Sequence, residues 1–533
     1  MDKTASRPSR KDNLLTRRYI EGLIAEGKHV IIFEGRVLRV DPFIIYHPGG
    51  EKPIKHMVGR DATDEINALH SEEARQRMRS YQIGRIEGIW INFLPPIQGG
   101  KFRAYTEDTC SSDEGSTTPE ICSGSSQDVR QRKPTGTALA DQTQAKPAFL
   151  DARTREEIVF DTAKYPSLDT ASQEEIKRKY RELNERIKAE GLYDCNYSCY
   201  FVECCRSFLY VPPHGMVGDL GIFLGCFWHQ LVFTAHDAGH MGITHNFHVD
   251  TLIGMLIADY LGGLSLGWWK RSHNVHHIVT NEPEHDPDIE HIPFFAISHR
   301  FLTSLRSTYY DRIMTFDAPA RFLLKFQNYS YYPIMMLARF NLYALSWEYL
   351  LKGQAPRKGP AWWHVWFELV GQVFFWTWFG YGVMYKTLPD ASSRIIFLLV
   401  SHVVSSPLHV QITLSHFAMS TADLGVGESF AQKMLRTTMD VDCPTWLDFF
   451  HGGLQFQAIH HLYPRIPRHN LRRTQKFVIE FCRDTGIPYA IFTFYDGNKE
   501  VISRLGEVAK QVRLMEECRK SIAEGGVFSD HHH

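Results

Sequence analysis

The sequence predicts a small α+β module followed, across a polar linker, by a larger all-α domain of about four membrane helices with a helical cap. Three observations carry this. Between residues 20 and 97, short β-branched runs (HVIIF, RVLRV, IWINF) alternate with charged helical stretches. From about 101 to 150 the chain is rich in Ser, Thr, Pro, Gly and Gln, with almost no aliphatic side chains, a composition that buries too little to fold. Beyond residue 195, apolar stretches recur at 197–213, 216–235, 251–269, 331–350, 361–385 and 395–415, several near the roughly 20 residues that cross a bilayer. Trp268, Trp269, Trp362, Trp363 and Tyr385 at their edges suit an interfacial aromatic belt. The expected domains are therefore 20–97, a disordered linker over 98–170, and 171–533, which a charged helix over 170–192 introduces.

A chain of 533 residues is long for one core. Its formal net charge of −1 gives no basic face for phosphates and so argues against a nucleic-acid partner. The mean hydropathy of −0.27 averages polar and apolar regions and hides the latter. The opening MDKTASRPSRKDNLLTRRY is basic without an apolar run long enough for a secretory signal, so the first module is expected in the cytosol. The ten cysteines show no recurring CxxC pair and read as packing residues or surface thiols in a reducing compartment.

Histidine is the outlier, with 27 residues, many clustered even when the terminal His531, His532 and His533 are set aside. In the first module His47-Pro48-Gly49-Gly50 follows the apolar PFIIY, and His70 lies further on in ALHSEEARQRM. A six-coordinate haem takes one imidazole on each face, and glycines let the chain turn sharply beside it. Two histidines alone are weak evidence, since surface or core histidines are common. The whole segment EGRVLRVDPFIIYHPGGEKPIKHMVGRDATDEINALHSEEA, however, resembles the haem-binding segment of cytochrome b5. That resemblance implies haem b with His47 and His70 as axial ligands.

Three further clusters lie in the second domain. In His236-Asp-Ala-Gly-His240 the two histidines are four residues apart, which puts both on one helix face. His273, His276 and His277 repeat that spacing with a third ring, and Gln457, His460 and His461 form the last cluster. Seven imidazoles exceed the three or so ligands of a catalytic zinc and suit a pair of first-row metals. Iron is the choice that fits O2 chemistry beside a haem donor. Asp237, Asp286 and Asp288 are candidates to orient ligand rings or contact a head group, whereas His245, His248, His285, His291 and His299 read as supporting or surface groups.

The pattern HxxxH, HxxHH, QxxHH resembles the membrane fatty-acyl and sphingolipid desaturases, specifically the front-end group with an N-terminal cytochrome b5 domain. FWHQLVFTAHDAGH, GWWKRSHNVHHIVTNEPEHDPDIEH and QAIHHLYPRIPRHNL look most like fungal delta-8 sphingolipid desaturases. The resemblance implies two non-haem iron ions held by the seven histidines and Gln457, with one more histidine between the second and third boxes. His416 is the candidate for it, with His409 and His402 as competitors. It further implies O2 as co-substrate, electrons from NADH through a cytochrome b5 reductase, and a double bond placed in the sphingoid base of a ceramide. The alternatives are a front-end acyl-lipid desaturase, a b5-fused lipid hydroxylase, and a membrane-anchored electron carrier.

All ligands must reach one site, so the boxes are expected on the haem module's side of a multi-pass endoplasmic-reticulum protein, facing the cytosol. An even number of crossings must precede His236, which pairs 197–213 with 216–235. The stretch 251–269 lies between two boxes and is expected to re-enter or lie flat. Between the second and third boxes, 361–385 and 395–415 are expected to cross, with 331–350, carrying Arg339, at the interface. Lys270 and Arg271 beside the second box agree with a cytosolic side.

Overall fold

The computed structural model describes residues 10–105, 148–209 and 217–523. The first module is built on a three-stranded antiparallel sheet of order β1-β2-β3, with β1 Val30–Phe33, β2 Arg36–Arg39 and β3 Gln82–Arg85. Glu34 and Gly35 both have positive φ (49° and 70°), the geometry of a two-residue hairpin turn. Helix α1 (Arg17–Ala25) starts where the Thr16 hydroxyl accepts the Tyr19 N–H. Helices α2 (Lys52–His56), α3 (Thr63–Leu69) and α4 (Glu72–Met78) complete the module.

The linker expectation needs correction at both ends. Residues 106–147 lie outside the described residues, but Phe102 packs edge-on to Phe93 at 5.4 Å. Residues Ala148–Lys164 form a helix, α5. Its Leu150 is buried, and its Asp161 carboxylate accepts the buried Arg436 guanidinium at 3.0 Å. The Ser/Thr/Pro bias ends near residue 147, and AFLDARTREEIVFDTAK beyond it has the aliphatic side chains to dock.

The second domain continues with α6 (Thr170–Ala189), capped by Asp169, α7 (Tyr197–Leu209), α8 (Val217–Gly239), α9 (Phe247–Met255) and α10 (Leu266–Val279). There follow α11 (Ala318–Leu323), α12 (Gln327–Leu351), α13 (His364–Phe375), α14 (Ala391–Ser405) and α15 (Pro407–Phe417). The last group is α16 (Phe430–Thr437), α17 (Asp448–His451), α18 (Gln457–Leu462), α19 (Arg468–Thr485) and α20 (Phe494–Ala523).

Of the four expected crossings, two are present among the described residues as helices long and apolar enough to span: Val217–Gly239 and Ala391–Phe417. Residues 210–216, at the junction of the first two expected spans, lie outside the described residues. The 361–385 stretch is helical, passing from α13 into a π-helix over Trp376–Thr387. It carries the fully buried Glu368, which accepts the Gly267 N–H at 2.5 Å. Residues Phe247–Leu261 and Leu266–Val279 meet at 118°, a broken span or re-entrant pair, in keeping with the requirement that this stretch not cross once. Gly263 sits at the break with φ +68°, and a Cβ there would lie 2.4 Å from the Phe375 ring. The buried Arg339 of α12 closes the bend by donating to the Gly262 carbonyl at 2.7 Å.

The two long helices pack along a Gly221-x-x-x-Gly225 face. A Cβ on Gly221 would lie 3.1 Å from Val400 Cγ1, and one on Gly225 only 2.7 Å from the Ser401 carbonyl oxygen, so the backbones meet because the side chains are missing. The outer faces of α13 and α14 expose Trp366, Val370, Val373, Ile395, Ile396 and Leu399, an apolar band that fits lipid. Gly225→Leu is expected to part α8 from α14 and destabilise by about 1–3 kcal/mol. A lowered thermal midpoint of the detergent-solubilised protein, with Gly218→Leu as the open-space control, checks it.

Candidate metal centre

Four helices bring the box histidines together. α8 carries His236 and ends just before His240, α10 presents His273, His276 and His277, α15 presents His416, and the short α18 presents His460 and His461. One ligand atom from each of His236, His240, His273 and His460 falls in a single group in which all lie within 4.8 Å of one another. His276, His416 and His461 form a second such group. His277 stands between them: its Nε2 is 3.1 Å from His273 Nε2, and its ring stacks on His461 at 4.2 Å. Neighbouring rings are tightly spaced, with His236 to His460 at 4.6 Å and His276 to His416 at 4.5 Å.

The nitrogens fit metal ligation. His240 Nε2, His277 Nδ1, His416 Nδ1, His460 Nε2 and His461 Nε2 are buried without a hydrogen-bond partner. A lone buried polar atom costs about 1–3 kcal/mol, so five in one cluster point to a group that uses their lone pairs. Burial first, and neighbouring imidazoles second, hold His460 and His461 well below the usual histidine range. They are therefore neutral, the form that binds metal.

The aspartates divide their work. His276 Nδ1 donates to Asp286 at 2.8 Å, which fixes the tautomer and leaves Nε2 for a ligand. Asp286 is itself held by the Asn281 and Asp288 N–H groups at 2.7 and 2.9 Å. Asp288 lies 3.6 Å from His273 Nδ1, and Asp237 lies 3.8 Å from His236 while accepting Arg468 at 2.8 Å and the Tyr200 hydroxyl at 2.5 Å. Of the three competitors, His416 joins the cluster. His402 instead stacks on Phe340 at 4.4 Å and donates Nδ1–H to the Leu398 carbonyl, and His409 is buried but in neither group. Gln457 is buried in the first turn of α18, three and four residues before His460 and His461 and so on their face.

His245, His248, His285, His291 and His299 also fall in neither group. His245 bonds the Met241 and Tyr193 carbonyls, and His299 bonds Thr154. Sequence reasoning assigned Trp269 to an interfacial belt, but its ring stacks on His273 at 4.5 Å. A Cβ on Gly239 would lie 2.1 Å from that indole, so Gly239 makes the room for it. Asn281 escaped notice altogether. It has φ +59°, which Asn tolerates, and its Nδ2 donates to the His416 carbonyl at 2.9 Å, tying the end of α10 to α15.

In the first module His47 and His70 face each other with ring centres 6.0 Å apart. Metal–nitrogen bonds of about 2 Å on either side of one iron put two imidazole centres about 6 Å apart, so the pair fits a bis-imidazole haem. Both Nδ1 atoms point at backbone carbonyls, of Gly50 at 2.7 Å and Ile66 at 3.2 Å, which frees both Nε2 atoms. Burial lowers both, His70 to about 3, so both are neutral.

Residues 20–87 match the cytochrome b5-like haem/steroid binding domain, and residues 214–493 match the fatty acid desaturase family. Along 98% of its length the chain is 69% identical to a delta 8-(E)-sphingolipid desaturase of Emericella nidulans, covering 99% of that protein. It is 46% identical to the delta 8-(E)-sphingolipid desaturase of Kluyveromyces lactis, over 97% of this chain and 96% of that one. An acyl-lipid (9-3)-desaturase of Borago officinalis is 36% identical over 70% of this chain and 85% of its own.

If His416 completes the second group, His416→Ala lowers the iron content of the purified protein and His402→Ala leaves it unchanged. Asp286→Asn, which frees the His276 ring, is expected to weaken iron binding about 10–100-fold. Metal analysis after titration with a chelator reads both.

Proposed function

The chain belongs to the fatty acid desaturase family, with a cytochrome b5-like domain ahead of the desaturase domain, and we propose that it introduces the delta-8 double bond into the sphingoid base of ceramides. The observation that carries the reading is the pair of buried histidine groups on α8, α10, α15 and α18, set in a chain that resembles delta-8 sphingolipid desaturases from end to end. In this reading His236, His240, His273, His276, His277, His416, His460 and His461 hold two iron ions, with Gln457 beside them, and His47 and His70 hold haem b.

Iron at such a site supplies the activation of O2 that removal of hydrogen from an unactivated C–H bond requires. The chain's own residues supply the rest. Asp286 and Asp288 fix ring orientation, and burial keeps His460 and His461 neutral. The helices exclude bulk water, so the oxidising equivalent is directed to substrate rather than lost. Holding the alkyl chain so that one carbon pair alone comes close sets the position of the double bond. Electrons come from NADH through a cytochrome b5 reductase to the His47–His70 site. The two long apolar helices and the bent pair fit an endoplasmic-reticulum protein whose boxes and haem module face the cytosol.

Expression in a host without delta-8 unsaturation, followed by lipid mass spectrometry, tests the reading. The expected product is a ceramide two hydrogens lighter, with the new double bond in the sphingoid base, and none in a His460→Ala strain. A gain of one oxygen would move the assignment to hydroxylation, and a double bond confined to acyl chains would move it to an acyl-lipid substrate.

A further inference from the structure

The haem module sits directly on the helix that carries the second box. On α10, His273, His276 and His277 occupy one face, and at 100° per residue Val275, Ile278 and Val279 occupy the opposite one. Those three are buried, and they join the core of the first module with Ile31, Phe33, Leu38, Met57 and Ile66. Ala68 of α3 enters the core formed by Tyr180, Leu183, Tyr463 and their neighbours in the second domain.

Polar contacts surround this apolar contact. Asp64 accepts Arg181 at 2.7 Å, Lys52 donates to the Thr308 carbonyl at 2.6 Å, and Asn92 donates to the Val426 carbonyl at 3.0 Å. Two contacts join the haem-ligand segments to the metal-ligand segments themselves. Gly49, two residues after His47, packs so closely on Asn274 that a Cβ there would lie 2.7 Å from its Nδ2, and Asn274 is the neighbour of His273 in the chain. On the other side, Arg465 Nη1 donates to the His70 carbonyl at 3.0 Å, four residues after His461.

We propose that the haem module is a standing electron donor, docked on the outer face of α10, and that Asn274 and Arg465 are the positioning residues that register its two axial-ligand segments against the histidine cluster. This rests on the desaturase reading for what the electrons do. Each turnover needs two, carried one at a time from the His47–His70 site to the imidazole cluster. With O2, two protons and the –CH2–CH2– of the substrate they give –CH=CH– and two waters. The reductant is a nicotinamide-dependent reductase acting on the first module. A module that only diffused on its tether would depend on effective concentration, which falls roughly as the −3/2 power of tether length. A docked one does not.

Two measurements on the full chain separate these. A protease site placed within residues 106–147 is cut in the purified protein, and the pieces are run through a sizing column in detergent. Co-elution is expected, and separation overturns the proposal. Next, the reduced haem is mixed with O2 and ceramide, and its reoxidation is followed by its absorption spectrum in the wild type, in a chain with the 106–147 segment doubled, and in Arg465→Gln and Asn274→Leu. The docked donor predicts the same rate with the doubled segment. Loosening the dock lengthens the path between the two sites, so each point variant is expected to slow reoxidation while haem spectrum and iron content stay as in the wild type. A rate that falls with segment length, or point variants at wild-type rate, overturns it. Co-elution does not depend on turnover, so a chain that docks but yields no unsaturated ceramide faults the substrate reading and leaves the docking intact.

Discussion

Crowding eight imidazoles, six of them buried, into one cluster is the condition that the rest of the molecule answers. Rings whose closest neighbours stand 4.2–4.9 Å apart leave little room among them, and the nearby guanidiniums are turned to other partners. Arg468 is taken up by Asp237 and Glu203, and Arg465 by the His70 carbonyl. The carboxylates that do approach, Asp286 and Asp288, meet the Nδ1 edges of His276 and His273. They thus fix orientation from behind without competing for the Nε2 positions.

That condition also explains the break in the 247–279 stretch. His240 and His273 belong to one group, and a straight span between them would leave them on opposite faces of a membrane. The 118° turn solves this, but a turn exposes backbone groups that lipid cannot satisfy. The neighbouring helices satisfy them. Glu368 takes the Gly267 N–H, Ser346 the Ser265 N–H, Asp259 the Leu266 N–H, and Arg339 gives to the Gly262 carbonyl. Charged residues on α12 and α13 that look out of place in apolar stretches are thus the groups that make the bend tolerable.

Much of the histidine cluster was legible because its members come in local pairs and triples. Spacings of three and four residues put rings on one helix face whatever the tertiary fold, so His236 with His240 and His276 with His273 could be read directly. The single histidine that joins the cluster from between the boxes could not. His402, His409 and His416 are spaced by seven and so share one face of the α14–α15 rod; periodicity cannot distinguish them. Only depth along the rod does: His402 lies against Phe340, and His416 against His276 and His461. Trp269 and Asn281 were illegible for a similar reason, since their partners come from other elements. The α5 helix was lost to a boundary drawn by composition, which does not register that Asp161 completes the charge balance of a buried arginine 275 residues away.

Helix α10 shows why these features cannot vary independently. Its sequence SHNVHHIV gives three histidines to the metal side and Val275, Ile278 and Val279 to the haem module, with Asn274 at the border. Sliding the pattern by one residue would rotate every side chain by about 100°, taking imidazoles out of the cluster and apolar contacts out of the module's core at once. The outer face is therefore constrained as tightly as the inner one, although none of its residues is itself a candidate ligand. A volume change at Val275 or Val279 disturbs the seat of the haem module and, through the same rigid helix, the rings on the other side. The contact between the haem module and the histidine cluster is in this sense a property of one helix.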